Sequence, residues 1–403
     1  MSKSETTLFT TNKKLYALRP KLYLNNEELT YNKYPKYLGY VLDPEITSHA
    51  HIKHIVSKAR RRLNIMKYIA GTNWGADAST LRTTYTTLIR PIIEYGYQIY
   101  DTAAATNLNK LERVQVSASK IISGLRHSCP NNISLYESKL KTLQQRRKEN
   151  SVKYFNKLKS LGSSHRTAEY INNWSSNQRL KKKSPFYNII NDNLVVNNIE
   201  PTLKENGIPP TESLAHVYFH TTLKEPTNKR TDNPLLLKQL ALEVIGNIPQ
   251  DSTIIYTDGS RMEKGISGSG ALLTSKTNTI KLCKRNADYC SNFRAELIAI
   301  EESLKAIDKM DSTKHIWFLV DSKSAIEHLE NFQNAMDKTS LNIIKNLKRL
   351  ENITEVHFQW IPSHVGIPGN EIADGLAKES CNKVSNQSEE LTFTEVYSKF
   401  KEE

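Results

Sequence analysis

The last third of the chain alternates between short apolar runs and stretches with helical spacing. Apolar runs bounded by polar turns predict five strands, at residues 253–257, 269–274, 279–284, 315–320 and 356–360. Apolar positions three and four residues apart predict four helices, at residues 291–308, 322–330, 340–350 and 370–380. This order of elements predicts an α/β fold with a mixed five-stranded sheet and helices on both faces.

The first 250 residues follow a different pattern. Short alternating runs in residues 1–45 predict two or three short strands, and helical spacing predicts a mainly helical, basic bundle over residues 46–161. Residues 162–250 are rich in Ser, Asn, Lys, Thr and Pro and predict a polar linker with short ordered pieces, one of them a helix near its end. Residues 383–403 are expected to form a tail. The predicted helices of these parts are 52–66, 79–90 ended by Pro91, 108–123, 134–161 and 234–245.

Charge separates the same two parts of the chain. From residue 251 onward there are 19 basic and 23 acidic residues, whereas the first 250 residues contain 37 basic and 19 acidic ones. The first predicted helix carries Lys58, Arg60, Arg61 and Arg62 on its polar face. A basic region beside a slightly acidic one indicates a polyanionic ligand, in the first place a nucleic-acid phosphate backbone, although a solvated lysine-rich surface has the same composition. Four tyrosines of this region could belong to its core or stack on bases: Tyr85, Tyr95, Tyr97 and Tyr100.

Cysteines and apolar runs indicate the compartment. The four cysteines show neither a zinc-ligand spacing nor a disulfide pattern, which favours a reducing compartment. The N-terminus lacks the apolar segment of a signal peptide, and no apolar run reaches the length of a membrane span. We therefore expect an intracellular protein, cytoplasmic or nuclear, without a membrane partner.

Four acids occupy related positions in the predicted α/β region. Asp258 and Asp321 each follow a predicted strand, Glu296 lies near the start of one predicted helix, and Asp374 lies near the start of another. If the two strands are neighbours, their carboxylates emerge at the same edge of the sheet. One such acid alone is typical of an ordinary protein surface, but four in these elements predict a common site.

Carboxylates that converge repel one another unless cations neutralise their charge. Oxygen ligands with retained waters suit Mg²⁺ or Mn²⁺. Two such ions about 4 Å apart can activate a water molecule and stabilise the leaving oxygen in phosphodiester cleavage. The four acids therefore predict metal-dependent hydrolysis of a nucleic acid.

Four segments of residues 251–382 occur together and in a fixed order. They are Tyr256-Thr257-Asp258-Gly259-Ser260, Ala295-Glu296-Leu297, Asp321-Ser322 and Ser363-His364-Val365-Gly366-Ile367-Pro368-Gly369-Asn370-Glu371-Ile372-Ala373-Asp374. With these segments the region resembles the type 1 ribonuclease H family. The last segment is highly specific, whereas the second alone would carry no information. The resemblance implies a ribonuclease H-like fold and an endoribonuclease that cleaves the RNA strand of RNA/DNA hybrids with two Mg²⁺ ions, or Mn²⁺ in their place.

The resemblance also implies a role for each acid. Asp258 would bridge both metal ions, and Asp374 would complete the site of the ion that activates water. Glu296 and Asp321 would hold the ion that faces the leaving 3′ oxygen. These four residues are thus expected to be both metal ligands and catalytic residues.

Further residues are implied beside the acids. His364 would assist proton movement or product release, with a loop histidine without a role as the alternative. Asn292 matches a position that contacts the minor groove of the hybrid, although it could merely support the start of its helix. Gly259 and Ser260 are also expected to contact the substrate. Recognition would rest on 2′-hydroxyl groups and A-like shape, so little base specificity is expected.

Four shorter segments mark the first part of the chain. They are Lys36-Tyr37-Leu38-Gly39, Ser57-Lys58-Ala59-Arg60-Arg61-Arg62-Leu63, Gly71-Thr72-Asn73-Trp74-Gly75 and Arg90-Pro91-Ile92-Ile93-Glu94-Tyr95-Gly96. In this order they resemble the segment after the polymerase palm of insect-type non-LTR retrotransposon reverse transcriptases. This implies a remnant after the palm over residues 1–45 and a thumb- and connection-like grip on a duplex over 46–161. The chain contains no Asp-Asp dipeptide and is expected to begin after the palm, so we expect no DNA synthesis by it.

Three functions are open at this point. The first is an active, hybrid-specific endoribonuclease derived from a retroelement. The second is a non-catalytic nucleic-acid-binding remnant of a reverse transcriptase, although a decayed site should have lost an acid. The third is a subunit that supplies a thumb to another polymerase polypeptide, of which the sequence carries no positive sign.

Overall fold

The chain divides into two compact units. In the computed structural model, residues 4–71, 74–162, 165–174, 186, 189, 199–202, 213–225, 227, 232–310, 313–351, 353–384 and 390–402 are described. One unit comprises residues 1–152 and 177–194, and the other comprises 153–176 and 195–403. Much of the predicted linker at 162–250 lies outside the described residues.

The N-terminal unit begins with short strands that pair two by two. Their hydrogen-bonded pairs are β1 with β4, β2 with β3, and β5 with β6. Each strand has two residues, so the pairs form local ribbons rather than a continuous sheet. The strands are β1 (Glu5–Thr6), β2 (Tyr23–Leu24), β3 (Glu27–Glu28), β4 (Thr30–Tyr31), β5 (Lys36–Tyr37) and β6 (Tyr40–Val41).

Helices make up the rest of this unit. They are α1 (His49–Ile69), α2 (Ala78–Thr84), α3 (Arg90–Glu94), α4 (Tyr97–Tyr100), α5 (Ala105–Ser123), α6 (Asn131–Glu137) and α7 (Leu143–Ser160), whose last turns belong to the other unit. The prediction that Pro91 ends a helix is wrong. A π-helical turn, Tyr85–Ile89, joins α2 to α3, and Pro91 lies in the first turn of α3, where a missing N–H is tolerated.

The prediction of one helix at residues 134–161 is wrong, because the structure has two helices there, α6 and α7. Lys139, between α6 and α7, has a φ of 53°, a left-handed conformation that a helix does not continue through. The sequence does not predict this break, because neither glycine nor proline lies next to Lys139. Only the packing of α6 and α7 with their neighbours decides that the chain turns here.

The tyrosines of the N-terminal unit divide into core and surface. Tyr85 and Tyr100 are completely buried, and the Tyr85 hydroxyl donates to Oε1 of Gln115 at 2.8 Å. Gln115 is itself buried and donates to the Lys141 carbonyl at 3.0 Å, so both ends of this polar pair are satisfied inside the core. These two tyrosines are therefore core residues and cannot stack on bases, whereas Tyr95 is exposed.

A six-stranded mixed sheet forms the centre of the C-terminal unit. Its strands are β7 (Val217–His220), β8 (Thr253–Arg261), β9 (Ser267–Thr274), β10 (Thr279–Arg285), β11 (His315–Val320) and β12 (Glu355–Trp360). The strand order is β10-β9-β8-β11-β12-β7, antiparallel among the first three and parallel from β8 onward. The condition that the two strands before Asp258 and Asp321 are neighbours is met, because β8 pairs with β11, and the predicted mixed sheet with helices is confirmed.

The helices of this unit are α8 (Arg166–Trp174), α9 (Pro234–Gly246), α10 (Asn292–Ala306), α11 (Lys323–Glu330), α12 (Lys338–Leu350), α13 (Pro368–Ser380) and α14 (Phe393–Glu402). Glycines show which face α10 and α13 cover. A Cβ on Gly259 would meet α10. Gly270 pairs with Asp258, the residue before Gly259, so it faces the opposite side of the sheet, and a Cβ there would meet α13. The two helices therefore pack on opposite faces of the sheet.

None of the helices among the described residues combines the length and apolarity that a membrane crossing needs.

The sixth strand corrects the predicted count of five. β7 lies in the stretch predicted as a linker and pairs in parallel with the edge of β12. Four residues amid Ser-, Lys- and Asn-rich sequence carry too little alternation to predict a strand. The open edge of β12 supplies the hydrogen-bond partners that turn this short segment into a strand.

Candidate active site

The strands place two of the acids at one edge of the sheet. Parallel pairing between β8 and β11 ends with Thr257 opposite Val320, so Asp258 and Asp321 are the next residues on both strands. Asp258 does not end its strand as predicted, because β8 continues to Arg261 by antiparallel pairing with β9. The acid nevertheless lies where the parallel part stops, which is the predicted edge.

The third acid reaches the same edge from helix α10. Ser291 caps this helix by accepting from the Arg294 amide at 3.2 Å, and Glu296 follows in the second turn. Gly259 allows the close approach, since a Cβ there would lie 2.6 Å from the Glu296 nitrogen and 2.9 Å from the Ala295 carbonyl carbon. The glycine is therefore required by the packing of backbone against backbone, whatever else it contacts.

This packing makes Gly259→Ala a test of how the site is held. A methyl group has no room between β8 and α10, so the helix must shift, and we expect the free energy of unfolding to fall by about 1–3 kcal/mol. Urea denaturation measures the change. Gly375→Ala is the matched control, because that helical glycine has open space around its Cβ position and should tolerate alanine without loss. Equal stability of the two variants would contradict the packing argument.

Three carboxylates crowd together at this edge. Asp258, Glu296 and Asp321 each offer one oxygen, and these oxygens lie within 4.8 Å of one another. Burial, together with Asp321 and Asp374 nearby, raises the pKa of Asp258 to about 8. Burial, followed by Asp321 and Asp258, raises the pKa of Glu296 well above its usual range. Without a cation, the cluster therefore holds protons at neutral pH.

The donor set fits a divalent cation. Oε2 of Glu296 is buried and has no hydrogen-bond partner among the described residues, although buried polar atoms are nearly always paired. The other ligand atoms of the cluster are the carboxylate oxygens of Asp258 and Asp321, and Mg²⁺ and Mn²⁺ prefer oxygen over nitrogen or sulfur ligands. A cation would satisfy the unpaired oxygen and neutralise the crowded charge at once.

The fourth acid belongs to an adjoining group on α13. Asp374, Glu371 and His364 each offer one atom within 4.8 Å of the others. Asp374 also lies close enough to accept a hydrogen bond from the protonated Asp258 carboxyl, which helps to raise the pKa of Asp258 and connects the two groups. His364 is exposed and has a φ of 56°, a left-handed conformation in the loop after β12. The structure thus brings all four acids and the histidine to one edge of the sheet.

Several residues around the acids were not singled out in the sequence. Nζ of Lys378 donates to Oδ2 of Asp374 at 2.6 Å, and this hydrogen bond raises the pKa of the lysine. The Asn370 amide approaches Oδ2 of Asp321 at 3.4 Å, and the Trp360 indole donates to the Asp321 carbonyl at 3.2 Å. The spacing of four residues between Asp374 and Lys378 on one helix was the signal that could have predicted their pairing.

Two of the three predicted substrate residues, Ser260 and Asn292, are accessible at the surface. Ser260 is partly exposed on β8, and Asn292 is exposed as the first residue of α10. Arg261 and Glu402 line a shallow cavity together with Asn292, and the same two charged residues form an ion pair at 2.6 Å. Gly259, by contrast, is buried under α10, so its close contacts are with the protein itself.

Comparison with known proteins places the site in a family. The RNase H family profile matches residues 250–382. A ribonuclease H from Dichelobacter nodosus is 31% identical over 147 residues, which represent 33% of this chain and 95% of that protein. Among solved structures, the N-terminal RNase H domain of a Mycobacterium tuberculosis protein aligns with 32% of this chain and 99% of its own, at 19% identity and a TM-score of 0.28.

A second kind of relative covers more of the chain. A probable RNA-directed DNA polymerase from transposon X-element of Drosophila melanogaster is 23% identical over 184 residues, or 46% of this chain. The chain spans only 20% of the length of that relative. The ribonuclease H from Dichelobacter nodosus is matched at 31% identity over 95% of its length, and this match shows the family. The chain belongs to the ribonuclease H family through its C-terminal unit.

Proposed function

We propose that the protein hydrolyses the RNA strand of RNA/DNA hybrids in a reaction that depends on two divalent cations, Mg²⁺ or Mn²⁺. The observation that carries the proposal is the cluster of Asp258, Glu296 and Asp321 with a buried, unpartnered oxygen, in a chain of the ribonuclease H family. Crowded carboxylates at the edge of a sheet are costly unless cations bind them, so their presence favours a metal-dependent activity.

In this proposal the four acids hold the cations. Asp258 clusters with Glu296 and Asp321 and also interacts with Asp374, so it would serve both ions. Asp374 would complete one site, and Glu296 with Asp321 would complete the other. Bound ions would supply charge neutralisation, Lewis-acid activation of a water molecule and stabilisation of the leaving 3′ oxygen. The buried position of Glu296 keeps its carboxylate fixed, so the site is arranged before substrate arrives.

The groups around the acids would transfer protons, hold the carboxylates in place and contact the substrate. His364 is exposed and lies beside Asp374, where an imidazole can accept or deliver a proton near neutral pH. Lys378 would restrain Asp374 through its hydrogen bond, and Asn370 would restrain Asp321. Asn292 and Ser260 would meet the sugar edge of the hybrid, where 2′-hydroxyl groups distinguish RNA from DNA.

A cleavage assay on matched duplexes tests the proposal. The full chain is incubated with Mg²⁺ and an RNA/DNA hybrid labelled on either strand, and with duplex RNA and duplex DNA of the same sequence. We expect cleavage of the RNA strand of the hybrid alone, abolished by EDTA. A hybrid that binds but stays intact would instead favour a non-catalytic nucleic-acid-binding protein.

We further propose that the N-terminal unit binds the phosphate backbone, in line with a retroelement origin. Six basic residues of α1 are exposed: Lys53, Lys58, Arg60, Arg61, Arg62 and Lys67. The opposite side of the helix is apolar and buried, which leaves these cations to solvent or to a ligand. Similarity to RNA-directed DNA polymerases of transposons supports the assignment.

Neutralising part of α1 should weaken hybrid binding. With Arg60, Arg61 and Arg62 changed to glutamine, we expect a lower affinity and a salt dependence reduced by roughly 0.7–0.9 in log–log slope for each phosphate that the variant no longer neutralises. Fluorescence anisotropy at several salt concentrations measures both. Lys276→Gln, at an exposed turn of the other unit, is the control. An unchanged slope in the triple variant would remove α1 from the interface.

A further inference from the structure

Three histidines and a glutamate gather on one face of the C-terminal sheet, away from the acids. They are His220, His315, Glu355 and His357. His315 begins β11 and Asp321 follows its end, so these two residues lie roughly 20 Å apart at about 3.3 Å per residue. The proposed hydrolysis makes no use of these side chains.

The pairing of β11 with β12 brings the donor atoms together. His315 lies directly opposite Glu355, and His357 is two residues further on, so its side chain leaves the sheet on the same face. Nδ1 of His315 is 3.2 Å from Oε2 of Glu355, and Nε2 of His357 is 3.7 Å from the same oxygen. One atom from each of the three residues lies within 4.8 Å of the others.

These separations are those of ligands around a small metal ion. With metal–ligand bonds of about 2.0–2.2 Å, two corners of a tetrahedron are roughly 3.3–3.6 Å apart. The two contacts of Glu355, at 3.2 and 3.7 Å, fall on either side of that spacing. Two imidazoles with one carboxylate suit Zn²⁺ and its neighbours among the transition metals, whereas Mg²⁺ prefers oxygen ligands.

The neighbours of His357 hold its ring in place. Trp317 stacks on it with ring centroids 4.2 Å apart and planes 6° apart, and Tyr218 stacks on it at 4.8 Å and 18°. Nδ1 of His357 lies 3.4 Å from Nε2 of His220, which leaves Nε2 of His357 facing the glutamate. A partner on one ring nitrogen fixes the tautomer that presents the other nitrogen to a metal. Burial also lowers the pKa of His357, which favours the neutral form that binds a metal.

We propose that His315, Glu355 and His357 bind one Zn²⁺ ion, and that His220 positions His357 for it. The ion would join the starts of β11 and β12, and through His220 it would fasten the edge strand β7. That strand lies outside the residues matched by the RNase H family. A bound ion would therefore stabilise the sheet edge that this chain adds, independently of any cleavage activity.

The test uses the full chain, free of any histidine tag, stripped with EDTA and then kept in excess Mg²⁺ so that the acids do not compete. Titration with ZnCl₂ by calorimetry should give one tight equivalent and a rise in the melting temperature. His315→Gln and Glu355→Gln each remove one ligand from a partly exposed position without disturbing the core, and should weaken binding at least tenfold. His127→Gln, an exposed histidine of the other unit, should change nothing.

Two further measurements distinguish a built site from surface histidines. His220→Phe keeps a ring in the stack but removes the partner of His357, so we expect the stoichiometry to persist with affinity lowered by about tenfold or more. Co²⁺ in place of Zn²⁺ should give the visible bands of a four-coordinate ion, and these bands should be absent in Glu355→Gln. Zn²⁺ binding that is absent, or equal in His315→Gln, Glu355→Gln and His127→Gln, would overturn the proposal.

Discussion

Asp258→Asn is expected to abolish RNA cleavage while making the metal-free protein more stable. Asp258 lies among three other acids, and its pKa is raised to about 8 by burial first and by Asp321 and Asp374 next. An amide keeps the shape of the side chain but removes the charge that would bind both cations. We expect the cleavage rate to fall by roughly 10²–10³-fold or more, as when one preorganised charge-stabilising group is removed.

The same substitution should raise the melting temperature measured in EDTA above neutral pH. Each kcal/mol of relieved repulsion corresponds to about 2–4 °C for a folding unit of 150–250 residues, a range that includes the C-terminal unit. Asp251→Asn is the matched control, because this aspartate is exposed near the other end of the same strand and should leave both cleavage and stability unchanged. Full cleavage by Asp258→Asn would refute the proposed metal site, and unchanged hybrid binding would separate loss of chemistry from loss of substrate.

Mg²⁺ should stabilise the protein strongly at high pH and little at low pH. In the metal-free protein the pKa values of Asp258 and Glu296 are raised above their unfolded values of 3.8 and 4.5. The folded state therefore binds protons that the unfolded state releases. The stability that Asp258 contributes is fully present below about pH 4 and is lost as the pH rises through about 8, and the raised pKa of Glu296 acts in the same direction.

A cation replaces the protons, so its stabilising effect should grow across that same interval. Differential scanning calorimetry at pH 5.5 and 8.5, each with EDTA or Mg²⁺, measures the effect. We expect the Mg²⁺-dependent shift in melting temperature to be several times larger at the higher pH. In Asp258→Asn, the melting temperature of the metal-free protein should fall less between the two pH values, and Mg²⁺ should raise it less. A shift that is equal at both pH values would contradict the electrostatic description of the site.

The sequence predicted the acids of the site more completely than it predicted the packing around them. Asp258 and Asp321 follow apolar runs, and the rule that parallel strands share one edge predicted that they meet if their strands are neighbours, a condition that the pairing of β8 with β11 fulfils. Their contacts with Asn370 and Lys378 could not be predicted in the same way, because those residues lie on a helix whose rotation about its axis depends on packing. Gly268 and Gly270, which meet α13, set that packing by leaving no side chain between strand and helix.

Errors in the sequence predictions occurred where local and tertiary preferences differ. Pro91 usually marks the end of a helix, yet a π-helical turn before it lets the chain continue into α3. β7 has no pattern of its own and becomes a strand because β12 offers an unpaired edge. Nothing in the sequence indicated that His315, Glu355 and His357 would meet, since their proximity depends on the register between two strands that are 34 residues apart.

By itself the sequence determined the α/β character of residues 251–382, the order of their strands and helices, and the acids that gather at the sheet edge. Periodic burial and short-range capping decide these features, and both are local. The tertiary structure alone decided the sixth strand, the opposite placement of α10 and α13, and the pairs that surround each acid. These depend on long-range register and on close backbone approach, which no single stretch of sequence specifies.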